Sequence, residues 1–123
     1  MKILIVDDDL LVLKQMSHIL KSYDHITTLA SDGKQAVDLI NDQQFDLIII
    51  DIMMPKVSGV QLFNFLKEFS FVPIIFISSL ALDQAKILLE SIGVSDDNYM
   101  VKPLNFDELN NKINRLAKAK SAL

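Results

Sequence analysis

Two kinds of hydrophobic pattern alternate along the chain. Short runs typical of buried parallel strands occur at Ile3–Val6, His25–Leu29, Leu47–Ile50, Ile74–Ile77 and Tyr99–Val101, the second being a weaker, Thr-containing run. After each run, apolar residues recur every three or four positions, as on the buried face of a helix. The pattern predicts strands and helices in strict alternation.

Capping residues mark the ends of the predicted helices. Ser58 and Gln61 stand at capping-box spacing before the third helix, as do Asn105 and Glu108 before the fifth. Gly93 follows the fourth helix, where a residue in the left-handed conformation is common. The first two helices begin at Asp8 or Asp9 and at the segment Ser31-Asp32-Gly33. On the third helix, Leu62, Phe63, Leu66 and Phe69 are predicted to share one side, and Phe63, Phe65, Phe69 and Phe71 are interpreted as core and helix rim.

Strict alternation of strands and helices predicts right-handed crossovers and a parallel sheet with helices on both faces. The predicted fold class is α/β: a doubly wound, five-stranded parallel sheet in the flavodoxin-like order 2-1-3-4-5. In a sheet of this order, ligands bind outside the carboxyl ends of the strands, in the crevice between strands one and three.

Composition narrows the class further. A chain of 123 residues that is 50% hydrophobic is expected to form a single domain over residues 1–123. A net charge of -4 argues against direct binding of nucleic acid, which depends on Lys and Arg. The absence of Cys excludes disulfides and thiolate metal sites. Because no apolar run is long enough to span a membrane, we expect a cytoplasmic protein without a membrane contact.

Polar residues stand where four of the apolar runs end. Asp7 and Asp8 follow the first strand, Asp51 the third, Ser78 the fourth and Lys102 the fifth. Because the carboxyl ends of parallel strands share one edge of the sheet, these side chains are expected to meet. Taken singly, the acids could serve only as favourable charges at helix N-termini, and Lys102 could be an ordinary exposed lysine.

The repulsion within a cluster of carboxylates must be compensated by positive charge. Two like charges about 4 Å apart cost on the order of 4 kcal/mol at an effective dielectric constant near 20. A divalent cation would relieve this repulsion, and an Asp cluster without His or Cys suits Mg²⁺. Lys102 can add one further positive charge.

Four stretches, ILIVDDD, LIIIDIMMP, PIIFISS and YMVKP, occur in this order over nearly the whole chain. Together they resemble the sequence marks of response-regulator receiver domains of two-component signalling, of the chemotaxis-regulator-like kind. The resemblance implies that Asp51 is the phosphoacceptor. It also implies that Asp8, Asp51 and the backbone carbonyl of Met53 hold Mg²⁺, with Asp7 contributing directly or through water.

The same resemblance assigns the remaining polar residues. Ser78 and Lys102 would contact the phosphoryl group, and Tyr99 matches the aromatic position that follows the hydroxyl residue on activation. The Lys102-Pro103 bond would be cis. The chain departs from the family pattern at Ser58, at Leu104 and in a longer segment from Gly93 to Tyr99, none of which carries the chemistry.

The function implied is that of a phosphorelay switch rather than an enzyme with a separate substrate. Asp51 would take a phosphoryl group from a sensor histidine kinase or a histidine phosphotransfer protein, catalysing its own phosphorylation and slow dephosphorylation. After phosphorylation, a conformational shift around Ser78 and Tyr99 would alter the binding of an output domain or target protein. That partner would bind at the face formed by helix 4, strand 5 and helix 5. A phosphorylation-linked homodimer is a further implied partner.

Two other function classes stay open at this point. A Mg²⁺-dependent phosphohydrolase with an aspartyl-phosphate intermediate would need a second acid near its nucleophile, commonly two residues on, where this chain has Met53. A degenerate receiver that acts only as a binding module would not need the acidic residues. His18 or His25 could mark a phosphohistidine carrier, although lone histidines are more often surface or packing residues.

Overall fold

The structure is a computed structural model, and it describes residues 1–68 and 72–121. The strands are β1 (Lys2–Val6), β2 (Ile26–Ala30), β3 (Leu47–Asp51), β4 (Ile74–Ser78) and β5 (Tyr99–Val101). The helices are α1 (Leu10–Ser22), α2 (Gly33–Asp42), α3 (Gly59–Leu66), α4 (Leu82–Ser91) and α5 (Phe106–Ser121). A short 3-10 helix, Asp96–Asn98, lies in the segment between α4 and β5.

All pairings between the strands are parallel, and the order across the sheet is β2-β1-β3-β4-β5. The predicted fold class and strand order are therefore confirmed. Ile5 of β1 pairs with Leu29 on one side and Ile49 on the other, so β1 and β3 lie side by side. The carboxyl ends of β1 and β3 therefore meet at the centre of one edge.

Two hydrophobic layers cover the sheet because successive strand residues point to opposite faces. Leu4 and Ile48 pack in a layer that includes residues of α2, α3 and α4. Ile3 and Ile49 pack in the opposite layer, which includes residues of α1 and α5. Every residue of β3 is buried, which explains why its sequence is a continuous apolar run rather than an alternating one.

The strands differ from the predicted ones at their ends. Asp51 and Ser78 are the last residues of β3 and β4, whereas the sequence placed them just after the strands. The ladder continues because Asp51 pairs with Ile77 and the Ile52 N–H donates to the Ile77 carbonyl at 2.9 Å. Strand β2 is shifted by one residue, since the His25 side chain lies buried in the turn before it and contacts Asn110 of α5 at 2.8 Å.

The helix ends follow the predicted capping. Asp9, rather than Asp8, caps α1 by accepting from the Leu11 N–H at 2.9 Å. Ser58 and Gln61 form both bonds of a capping box at the start of α3. Gly93 has a φ of 73° just beyond the C-cap of α4. Phe63 packs edge-on against Phe76, whereas Phe69 and Phe71 lie outside the described residues, so their predicted placement stays a prediction.

A pair of isoleucines tests how strongly the central strand holds the fold. Ile49 of β3 is fully buried, whereas Ile26 of the edge strand β2 is 66% exposed. We predict that Ile49→Ala lowers the free energy of unfolding by about 2–5 kcal/mol, because the truncation leaves a cavity between two packed layers. Ile26→Ala, the matched control, is expected to cost less than about 1 kcal/mol. Urea denaturation measures both, and equal losses would contradict the assignment of the core.

Candidate functional site

Three carboxylates converge where β1 and β3 end. Asp7 is fully buried, Asp51 is 5% exposed, and Asp8 lies at the surface. One oxygen from each lies within 4.8 Å of the others. The predicted acidic cluster is therefore present, and the sheet topology creates it, because β1 and β3 are neighbours although Asp7 and Asp51 are 44 positions apart in the chain.

Lys102 joins two of these carboxylates. Its Nζ lies 2.7 Å from Asp7 Oδ2 and 3.2 Å from Asp51 Oδ2. The Lys102 N–H donates to the Ser78 carbonyl at 2.7 Å, which continues the β4–β5 pairing and fixes the base of the side chain. The Lys102-Pro103 peptide is cis, as the family resemblance implied.

The other oxygen of each bridged carboxylate accepts a backbone hydrogen bond. Asp7 Oδ1 accepts from the Asp9 N–H at 2.9 Å, and Asp51 Oδ1 accepts from the Met53 N–H at 3.0 Å. Each carboxylate is therefore held between a loop amide and the lysine ammonium. Such two-point anchoring fixes the plane of Asp51, with its oxygens at the open end of the strand.

The charges in this cluster shift the proton affinities of its members. Burial raises the pKa of Asp51 to about 6, helped by the negative charge of Asp7, while the Met53 N–H and Lys102 act in the opposite direction. Burial by itself lowers the pKa of Lys102, but the hydrogen bond to Asp7 and the charges of Asp51 and Asp7 outweigh it, so the net shift is upward. Lys102 therefore stays charged at neutral pH.

Mg²⁺ suits the donors in this cluster. Three carboxylates and one ammonium leave two negative charges in excess when all are ionised, and every donor is a hard oxygen without a competing His or Cys. Lys102 bridges Asp7 and Asp51, whereas the third carboxylate, that of Asp8, is exposed at the surface. The fit of these residues to a small divalent cation is therefore good, and the predicted part of the Met53 carbonyl stays a prediction.

Ser78 and Tyr99 meet at the backbone of Leu80. The fully buried Ser78 Oγ accepts from the Leu80 N–H at 3.1 Å, and the Tyr99 hydroxyl donates to the Leu80 carbonyl at 2.5 Å. Tyr99 itself is 5% exposed, with its ring turned inward. The two predicted switch residues thus hold successive polar groups of one loop residue, a connection that the sequence reasoning did not foresee.

Gly59 is a second feature that the sequence reasoning missed. A Cβ at this position would lie 2.4 Å from the Asp51 carbonyl oxygen and 2.8 Å from the Ile52 Cα. The first residue of α3 therefore rests directly on the backbone of Asp51. The sequence does contain a sign of this contact. Glycine has a low helix propensity, so a glycine just after the capping residue Ser58 indicates that another backbone approaches closely at this position.

Comparison with known proteins decides the family. A model of the response regulator receiver domain matches residues 3–114. The chain belongs to the response regulator receiver domain family. Receiver domains are the phosphorylatable signalling modules of two-component systems, and they bind Mg²⁺ at an acidic pocket of the kind described above.

The curated relatives include transcriptional regulators. This receiver domain is 36% identical over 114 residues to the uncharacterized transcriptional regulatory protein YrkP of Bacillus subtilis, covering 91% of the chain and 47% of the relative. It is 33% identical over 108 residues to the transcriptional regulatory protein CpxR of Escherichia coli, covering 88% of the chain and 45% of the relative. The chain thus spans about half the length of these relatives.

Solved receiver structures share the fold over nearly the full length. The receiver domain of Francisella response regulator 1452 has a TM-score of 0.85 at 35% identity, covering 97% of this chain and 98% of that one. The response regulator TrrA of Thermotoga maritima, solved in complex with Mg²⁺ and BeF, has a TM-score of 0.79 at 27% identity, with coverage of 94% and 97%. Among the residues described here, no helix has the length and apolar character needed to cross a membrane.

The raised pKa of Asp51 leads to a prediction about stability and pH. An acid whose pKa is higher in the folded state than in the unfolded state weakens folding at pH values above the folded pKa, and this penalty disappears below the unfolded pKa. We therefore expect Asp51→Asn to stabilise the metal-free domain near pH 7.5, by at most roughly 3 kcal/mol, and this gain to vanish as the pH falls from 6 towards 3.8.

Urea denaturation in EDTA, repeated across this pH range, measures the effect. Asp8→Asn is the matched control, because it removes a charge of the same cluster from the surface rather than from a buried position, and it should give a smaller gain. A stabilisation by Asp51→Asn that is independent of pH would contradict the burial of an ionised Asp51.

Proposed function

We propose that this receiver domain is a phosphorelay switch in which Asp51 accepts the phosphoryl group. The single observation that carries the proposal is the anchoring of the Asp51 carboxylate, with Oδ1 on the Met53 amide and Oδ2 on the Lys102 ammonium. A nucleophile held in this way loses little orientational freedom when a phosphoryl donor approaches. The pKa of about 6 leaves Asp51 largely ionised at neutral pH.

The chemistry is an in-line displacement at phosphorus. An Asp51 oxygen forms the new P–O bond while the bond from phosphorus to the histidine nitrogen of the donor protein breaks, and the electron pair stays on the imidazole. Lys102 already faces Asp51 Oδ2, so its ammonium can follow that oxygen and neutralise charge on the phosphoryl group.

Asp7, Asp8, Asp51 and the Met53 carbonyl are proposed to hold Mg²⁺. When bound, the metal supplies the positive charge that three carboxylates and a phosphoryl group require. Lys102 alone is insufficient, because its single charge is already shared between Asp7 and Asp51. The domain therefore catalyses its own phosphorylation only in combination with the cation.

Ser78 and Tyr99 are proposed to carry the signal away from the site. Ser78 Oγ accepts a hydrogen bond from the Leu80 N–H, which leaves its own O–H free to donate to a phosphoryl oxygen. A movement of Ser78 towards the phosphoryl group would pull Leu80, whose carbonyl is held by Tyr99. The start of α4 follows two residues later, so the altered surface is that of α4, β5 and α5.

The proposed partners follow from this role. A sensor histidine kinase or a histidine phosphotransfer protein supplies the phosphoryl group, and an output domain, a target protein or a second phosphorylated copy reads the face of α4, β5 and α5. We place the reaction in the cytoplasm, in a domain that spans residues 1–123. The length of the curated relatives supports an output region outside this chain. Met53 disfavours a phosphohydrolase, because its thioether cannot act as a general acid.

Phosphorylation by a small donor tests the function directly. After incubation with acetyl phosphate and Mg²⁺, mass spectrometry of the intact protein should show one added phosphoryl group. We predict that Asp51→Ala abolishes this product, because no nucleophile remains at the strand end, and that Asp38→Ala, at an exposed acid of α2, leaves it unchanged. A full phosphoprotein yield from Asp51→Ala would refute the assignment of Asp51 as the acceptor. Phosphorylation of wild-type protein at the same rate in EDTA would refute the proposed requirement for Mg²⁺.

The lifetime of the phosphorylated state gives a second prediction. Met53 and Leu80 stand two residues after Asp51 and Ser78. The resemblance to receiver domains implies that side chains at these positions border the path of the attacking water, and neither of these apolar side chains can form a hydrogen bond to hold it. Met53 is 58% exposed, so a substitution there should not disturb the core. We expect slow dephosphorylation, accelerated at least severalfold by Met53→Asn with Leu80→Glu, because a polar side chain orients water for in-line attack.

Decay is followed by mass spectrometry after removal of acetyl phosphate, with Mg²⁺ present. Met53→Leu is the control, because it keeps an apolar side chain of similar size. If wild-type protein loses its phosphoryl group as fast as the polar double variant does, water already reaches phosphorus and the explanation is wrong.

A further inference from the structure

The loop from Ile52 to Ser58 connects the phosphoacceptor strand to α3 and contains Met53. It is closed at its base, where the Gly59 N–H donates to the Ile52 carbonyl at 3.0 Å. The missing Cβ of Gly59 allows this approach, since a Cβ there would overlap the Asp51 carbonyl oxygen. The two ends of the loop are therefore fixed directly beside Asp51.

The distal part of the loop is conformationally strained. Lys56 has a φ of 67°, a left-handed conformation that is unfavourable for a side chain with a Cβ. Pro55, which precedes it, has a restricted φ, and the Val57 N–H donates to the Pro55 carbonyl at 2.9 Å. Such a conformation persists only when the surrounding structure imposes it, so a contact at this end of the loop is required.

Gly33 of α2 provides that contact. A Cβ on Gly33 would lie 2.9 Å from both the Cβ and the Cγ1 of Val57, so the valine side chain rests directly on the helix backbone. Gly33 is buried and is not among the glycines with a positive φ, so the close approach rather than the backbone conformation requires a glycine here. Val57 is 38% exposed, which leaves its outer side in solvent.

We propose that Gly33 and Val57 are positioning residues for the metal site, through which α2 fixes the loop that carries Met53. The inference rests on the proposed function, since it takes the Met53 carbonyl as a metal ligand. Because the ends of the loop are held together at Ile52 and Gly59, a displacement of Val57 must be taken up by the residues between them. The stiff segment from Pro55 to Val57 passes that displacement on to Met53. The first turn of α2 thereby tunes Mg²⁺ affinity without touching the cation.

Gly33→Ala is the decisive substitution because it should favour helix formation in α2 and yet displace the loop that contacts α2. Alanine favours a helix more than glycine does, so α2 itself should not be weakened. The added methyl group, however, must displace Val57 and with it the loop. We expect Mg²⁺ affinity to fall roughly tenfold, the lower end of what outer-shell partners of a metal site cost, while the free energy of unfolding in EDTA stays near the wild-type value.

A double substitution separates positioning from general damage. Val57→Ala removes Cγ1 and so vacates space for the methyl group that Gly33→Ala introduces, although the Val57 Cβ position remains close. Val57→Ala alone should weaken Mg²⁺ binding, because the loop loses its support. Gly33→Ala combined with Val57→Ala should bind Mg²⁺ more tightly than the product of the two single effects, which is the signature of direct coupling.

Mg²⁺ affinity is measured by titrating MgCl₂ and following amide chemical shifts by NMR, with Lys34→Ala as a control on the exposed side of the same helical turn. Failure of wild-type protein to bind Mg²⁺ would overturn the proposed function itself. If wild-type protein binds and Gly33→Ala binds equally well, the positioning role is wrong. Strictly multiplicative effects of Gly33→Ala and Val57→Ala would overturn it as well.

Discussion

The site depends on the attraction between one ammonium group and two buried carboxylates. Asp7 and Asp51 lie at adjacent strand ends with little access to water, where two unpaired negative charges would repel each other strongly. The Lys102 ammonium lies 2.7 Å from Asp7 and 3.2 Å from Asp51. Its single positive charge reduces the repulsion between the two carboxylates but does not cancel both of their negative charges. The remaining negative charge suits the cluster to a divalent cation, so the charge imbalance that is predicted to weaken the metal-free fold also supports the proposed function.

The sheet determines which groups share this cluster. Because β1, β3 and β5 end at the same edge, residues far apart in the chain deliver the two carboxylates and the lysine to one place. Both faces of the sheet are covered by helices, and this burial explains the raised pKa of Asp51. A solvated aspartate would be more fully ionised at neutral pH but would be neither oriented by Met53 nor coupled to Lys102.

Close contacts that involve the main chain connect Asp51 and the loop after it to the rest of the domain. Gly59 places the start of α3 against Asp51, and Gly33 places the start of α2 against the loop that follows it. Leu80 connects Ser78 to Tyr99 through its own N–H and C=O groups. Each of these contacts is short and involves the main chain, so a displacement at Asp51 has few ways to be absorbed locally.

The alternation of strands and helices, the capping box of Ser58 and Gln61, and the presence of Asp7, Asp51 and Lys102 at strand ends could all be predicted from the sequence alone, whereas it left the cap of α1 open between Asp8 and Asp9. These features depend on local periodicity, and capping needs only neighbouring residues. The strand order was predicted from this alternation together with the order common to doubly wound sheets, whereas the roles proposed for Ser78 and Tyr99 came from family resemblance. Small misplacements, such as the one-residue shift of β2, arose where His25 is held by a distant helix residue that local pattern cannot reveal.

Which acids are buried, and what they contact, depends on the packing of the folded domain. Asp7 and Asp8 are adjacent and chemically identical, yet one is fully buried against Lys102 and the other lies at the surface. The Lys102–Asp7 pair spans 95 residues, and the contact of Gly33 with Val57 also joins separate elements. Such contacts depend on how the helices and strands pack against one another. The pattern of hydrophobic residues predicts the individual helices and strands directly, but it does not specify which of their residues meet when they pack.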